Sequence, residues 1–286
     1  MAIVFALLTA LANALAVTLQ HIASTARREK STAWRLFVFL ARHPLWLLGW
    51  VAMAGSLVFQ ALALHFGPLS LVQPFLVSEL VLALVARRIW LHQRIRSLTW
   101  SAATVTSVGL VVFLVITSPS ERALAPSSHA WTISVVVCVA ASAALVAAAQ
   151  RGSPTRRAAL FAGATAIMWA LEATFIKATT VTLVIHGIGG MLARWPLYAL
   201  IIGGVAGLAC EQAALHVGPL KVSQPLIVIV DPLVSIGLGV WLFRERLHGG
   251  PVQAVVAGAA FAAMCAGVVV LTRSAPSTME ADIPHL

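Results

Sequence analysis

The chain has 286 residues, 60% of them hydrophobic and 10% charged, with a mean hydropathy of +0.95 and a formal net charge of +10. So apolar a composition excludes a water-soluble globule of this size. The basic excess would ordinarily raise nucleic acid as a partner, but the placement of the charges excludes it and leaves a lipid bilayer as the surroundings.

A helix that crosses a bilayer needs about 20 mostly apolar residues. In chain order, such runs predict nine spans, at 2–23, 44–65, 68–89, 99–117, 130–149, 158–182, 192–215, 219–242 and 252–271. Unsatisfied backbone groups are costly in lipid, and unbroken apolar runs suit helices rather than the alternating strands of a barrel. The predicted fold class is an all-α integral membrane bundle.

The first span is read as a retained helix, because its charged cluster, Arg27 to Lys30, follows the apolar run instead of preceding it. Within it, Asn13 lies deeper than Gln20 and is the better cavity candidate. The second and third spans meet at Gly67-Pro68, a tight hairpin in which proline suits a first helical turn. The third carries Gln73, Pro74 and Glu79. The sixth carries Glu172 and Lys177, which are five apart and so do not stack as an i,i+4 pair; one of them is expected near a boundary. Glu211 lies in the seventh span, and Gln224, Pro225, Asp231 and Pro232 in the eighth. Beyond it, Arg244-Glu245-Arg246 reads as a solvated turn. Cys138, Cys210 and Cys265 fall inside spans at no metal-like spacing and read as packing residues.

Prolines inside spans remove a backbone hydrogen bond and free a carbonyl at depth, which makes Pro74, Pro225 and Pro232 candidate kinks. An ionised side chain at mid-membrane costs roughly 2.5 to 3.5 kcal/mol, so four acids facing lipid would cost on the order of 10 kcal/mol. Glu79, Glu172, Glu211 and Asp231 must therefore face a cavity, be paired or be protonated. With Gln73, Gln224 and Asn13 they form the candidate transport or substrate-binding set. The alternative role for each is an interhelical hydrogen bond that fixes packing.

The run ALHFGPLSLVQPFLV at 63–77 returns as ALHVGPLKVSQPLIV at 214–228, an offset that also pairs Trp90-Leu91 with Trp241-Leu242. This is an internal duplication. Spans 1 to 4 correspond in order to spans 6 to 9, and the unpaired fifth inverts the second copy. The division is a first four-helix repeat at 1–118, a connector helix with its loops at 119–157, a second, inverted repeat at 158–272, and a tail at 273–286. Inverted repeats related by an axis in the membrane plane are the architecture of many secondary transporters.

Nine spans place fourteen basic residues, from Arg27 to Arg273, on one side and four, Arg122, Arg194, Arg244 and Arg246, on the other. By the positive-inside rule the first side is cytoplasmic, so the N-terminus is outside the cell membrane and the C-terminus inside. Phosphate-loop, HExxH and Gly-x-Ser-x-Gly motifs are missing, so neither enzyme action nor a cofactor is expected.

The hairpin GWVAMAGSLVFQALALHFGPLSLVQPFLV and its partner EQAALHVGPLKVSQPLIVIVDPLVSIGLGVWLFRERL resemble the drug/metabolite transporter superfamily, as does the glycine-rich run VVAGAAFAAMCAGVVVL. The resemblance covers most of the chain. Nine spans, an outside N-terminus and the basic loop directly after span 1, VTLQHIASTARREK, are similar to the NIPA-like magnesium transporters, whereas EamA-type exporters more often have ten. The first half carries Arg87-Arg88-Ile89-Trp90-Leu91-His92, without an acid, where the second has its Glu-containing turn.

The expectation is a secondary transporter working by alternating access, with a divalent cation such as Mg2+ slightly favoured over proton-coupled export of an organic metabolite or drug. A non-transporting membrane scaffold is the third reading. Carboxylate or carbonyl oxygens converging on one point would favour the cation, and an acid beneath an aromatic-lined void an organic solute.

Overall fold

A computed structural model describes residues 1–25, 44–90, 96–120, 126–218, 220–248 and 250–274. Among these the chain is almost entirely helical: α1 (Ala2–Thr25), α2 (Pro44–Phe66), α3 (Leu69–Leu76), α4 (Ser78–Trp90), α5 (Ser97–Thr117), α6 (Ser128–Ala148), α7 (Pro154–Leu192), α8 (Trp195–Val217), α9 (Leu220–Leu242) and α10 (Pro251–Ser274). Seven of these, α2 and α5 to α10, are long and apolar enough to cross a membrane, and they fall on seven of the nine predicted spans. The other two predicted spans fall on shorter apolar stretches, Ala2–Ala16 within α1 and Leu69–Leu82 across α3 and α4.

The surface of the bundle is apolar where a soluble protein's would be polar. Val51, Val111, Val137, Ile202, Val252 and Val255 all stand exposed, side chains that water would penalise and lipid tails accept. This marks a multi-pass membrane protein.

Helix association in lipid relies on close van der Waals approach of small residues. The chain supplies them in stripes: Ala6, Ala10, Ala12, Ala14 and Ala16 are buried on α1, and Ala158, Ala162, Ala166, Ala170 and Ala173 on α7. α1 packs along α2 and against α3 and α4, while α7 packs along α8 and against α9. α5 lies against α10, and α3 meets α9. At the α5–α10 crossing, a Cβ on Gly109 would come within 2.7 Å of the Ala260 carbonyl, and one on Gly267 within 2.9 Å of that of Ala102, so both glycines are needed for the backbones to approach.

The third predicted span is broken at Val77, shortly after Pro74. α3 ends at Leu76 and α4 begins at Ser78; Val77 N–H donates to the Pro74 carbonyl, Leu80 N–H to that of Val77, and Ser78 Oγ to that of Phe75. The carbonyls at the break are thus satisfied by tighter i to i+3 turns. α9 stays continuous through Pro225 and Pro232. The sixth span is longer than expected: α7 runs 39 residues with a break at Gly187, whose φ of 67 and ψ of −173 lie outside helical space.

Candidate functional site

Three helices meet at Glu79. It sits in the first turn of α4, where the break after Pro74 creates a new helix N-terminus and its positive dipole end at depth. Asn13 Nδ2, from α1, donates to Glu79 Oε2 at 3.1 Å, and Ser56 Oγ, from α2, donates to Asn13 Oδ1 at 2.5 Å. Asn13 is thereby oriented by one helix and spent on the acid of another, and Glu79 is half-buried among them. Asp231 forms the second focus, accepting a hydrogen bond from Ser235 Oγ at 3.1 Å one turn further along α9. Glu172 of α7 faces Gly204 of α8, where any Cβ would fall 2.9 Å from its Oε1.

All four acids are half-buried within apolar helices, Glu79 on α4, Glu172 on α7, Glu211 on α8 and Asp231 on α9. Among the described residues no three His, Cys, Asp or Glu side chains gather as a metal site. Gln73 is buried on α3, with its Nε2 lacking a hydrogen-bond partner in the structure, and Gln224 is half-buried on α9.

A second constellation centres on Lys177, in the second half of α7. Lys177 is 6% exposed, and its Nζ lies 3.3 Å from both Glu245 Oε1 and the Gly67 carbonyl, and 4.8 Å above the Phe243 ring. Glu245 is 3% exposed. Its carboxylate accepts from Leu69 N–H at 2.6 Å, Ser70 N–H at 2.9 Å and Ser70 Oγ at 2.7 Å. The expectation of a solvated turn fails here: Glu245 points inward because the buried N-terminus of α3 and the Lys177 ammonium need an anion. Lys177, in turn, neither snorkels nor pairs with Glu172. The backbone cooperates, since Glu245 N–H returns to the Gly239 carbonyl and a Cβ on Gly239 would collide with the carboxylate. Arg246 bridges Ser120 through both backbone groups, and His248 N–H reaches the Thr117 carbonyl, so the same loop closes on the end of α5.

Beside this ion pair opens a cavity of about 960 Å³. Its wall is a cluster of aromatic rings: Trp131 stacks on Phe175 at 5.9 Å and meets Trp195 and Phe243 edge-on at 5.1 and 6.0 Å. Arg194 also lines it. The cavity lies among α6, α7 and α8, so the helix predicted as the connector contributes to its lining. The signal that could have found this site is that every charge inside an apolar span needs a partner, and Glu172 was wrongly spaced to partner Lys177.

No known family's sequence profile matches the chain, and no solved structure matches it. It is 26% identical over 282 residues to an uncharacterized protein of Corynebacterium glutamicum, an alignment that covers 98% of this chain and 97% of the relative. The two chains are similar from end to end.

Proposed function

We infer that the protein is a secondary transporter of the cell membrane that moves an organic solute in exchange with protons, by alternating access between two inverted four-helix repeats. The observation that carries this reading is the set of acids inside apolar helices, on α4, α7, α8 and α9, one of them, Glu79, held by a hydrogen-bonded chain through Asn13 to Ser56 that joins three helices. Acids kept inside spans are the groups by which transporters take up and release protons. The broken helix at Val77 supports the reading, since interrupted spans are where transporters of inverted-repeat design place their binding sites. The matching partners of α1 and α7, and the meeting of α5 with α10, fit two copies of one unit.

An organic solute is preferred to Mg2+ because the acids do not converge as a cluster, whereas an aromatic-lined void of about 960 Å³ adjoins a buried acid. The likeness to the drug/metabolite transporter superfamily stands as part of this proposal, with a nine-span topology and the Arg-rich loops in the cytoplasm.

The test uses purified protein in liposomes with an internal pH dye. A panel of organic acids, amines and zwitterions, and Mg2+ separately, is added outside. The reading expects at least one organic solute to drive a proton movement that the Glu79→Gln, Asp231→Asn variant lacks. Mg2+ uptake that the same variant lacks would replace it with the cation carrier, and full activity of the variant would remove the role given to these acids.

A further inference from the structure

Glu245 occupies a position that a free carboxylate would suit. Two backbone amides at the N-terminus of α3, the Ser70 hydroxyl and the Lys177 ammonium converge on it, the combination by which proteins hold anions. The occupant comes from a short loop that departs from regular structure: Arg244 stands in the left-handed region at φ 54, and Arg244 and Arg246 are both exposed on either side of the buried acid. The cavity opens onto this spot, with Lys177 and Glu245 in its wall and Trp131, Phe175, Trp195 and Phe243 adjoining.

We propose that this cavity binds an organic anion with an apolar, ring-sized body, whose carboxylate takes the place of Glu245 on Lys177 and the α3 N-terminus. The exchange leaves no buried charge unpaired. The incoming carboxylate neutralises Lys177, and Glu245 moves into solvent between two arginines that are already there. A neutral solute cannot compete for the ammonium, and a cationic one finds Glu245 already saturated by four donors. Arg194, Arg244 and Arg246 make this end of the bundle positive, which draws anions to the opening. The aromatic wall offers stacking and edge-on contacts to a flat apolar body, and the volume is at the upper end of the range of small-molecule sites, about 300 to 1,000 Å³. The site shares no residue with the Asn13–Glu79 network; it deepens the choice of an organic solute made above, which rests on the same cavity, while binding here is read without any transport or proton movement.

Equilibrium dialysis tests it, with the full chain in lipid nanodiscs, empty nanodiscs subtracted, and three probes of one shape: naphthoate, naphthylmethanol and naphthylmethylamine. Wild type should bind naphthoate at least about tenfold more tightly than the alcohol or the amine. Glu245→Gln, which removes the competing carboxylate, should bind naphthoate at least about tenfold more tightly than wild type with no change for the alcohol. Naphthoate should also raise its unfolding temperature more than that of wild type. The double variant Lys177→Gln, Glu245→Gln should lose the preference for the anion. If a charge variant does not fold, Trp131→Ala should weaken naphthoate binding while keeping its preference over the alcohol. Equal binding of naphthoate and the alcohol to wild type, no tightening in Glu245→Gln, or unchanged binding to Trp131→Ala would each overturn the proposal.

Discussion

Replacing Glu245 by Ala should unfold the protein at a markedly lower temperature. The substitution strips the acceptor from two amides, one hydroxyl and one ammonium, and the ammonium, on Lys177, is only 6% exposed. Breaking a buried ion pair by removing one partner costs about 3 to 5 kcal/mol, because the remaining charge is left without compensation. At about 2 to 4 °C per kcal/mol, the expected fall is roughly 6 to 20 °C. Restoring charge balance should recover much of it: Lys177→Met combined with Glu245→Gln removes both charges and leaves an amide oxygen for the α3 N-terminus. The assay is thermal unfolding in detergent, followed by tryptophan fluorescence without added organic anions. An Ala variant that melts with wild type, or a double variant no better than the single, would refute the reasoning that this pair is buried and coupled.

Other expectations follow from the same structure. Asn13→Ala leaves Glu79 and Ser56 each short of a partner and should cost about 1 to 2 kcal/mol by thermal unfolding, given the modest worth of hydrogen bonds between membrane helices. Gly109→Leu should abolish folded, monodisperse protein, because its Cβ alone would lie 2.7 Å from the Ala260 carbonyl and 2.9 Å from the Met264 amide. Gly55→Ala, which meets nothing within 4 Å, should be at least as stable as wild type. Pro74→Ala returns an amide to the ladder and should heal the break at Val77, raising stability and slowing flux in liposomes.

The bundle was legible in the sequence because lipid imposes one requirement on every span, a long apolar run with its backbone satisfied internally. The third predicted span is interrupted at Val77, after Pro74. Pro225 and Pro232 left α9 continuous; a proline's consequence depends on which neighbours can take up the freed carbonyl, which spacing does not record. Asn13 and Glu79 were candidates as lone polar residues, but their hydrogen bond joins positions 66 apart and only the packing of α1 on α4 creates it. Glu245 was hidden by its neighbours. Two flanking arginines made the turn look solvated, while the groups that bury the acid, at Leu69 and Ser70, lie about 175 residues away in the chain. The cavity was hidden for a similar reason, since its rings come from α6, α7, the start of α8 and the loop after α9, no two of them neighbours in a motif.

The central claim, that two repeats rock against each other under proton control, is tested most directly by paired distances across the bundle. Spin labels at exposed Ser118 and Leu192 report one end, and at exposed Ser97 and Thr155 the other, in a background with Cys138, Cys210 and Cys265 replaced. Double electron–electron resonance at acidic and alkaline pH should show one distance lengthening as the other shortens, and neither should change in Glu79→Gln, Asp231→Asn. Distances that stay fixed with pH, or that change in the same sense at both ends, would contradict alternating access through these acids.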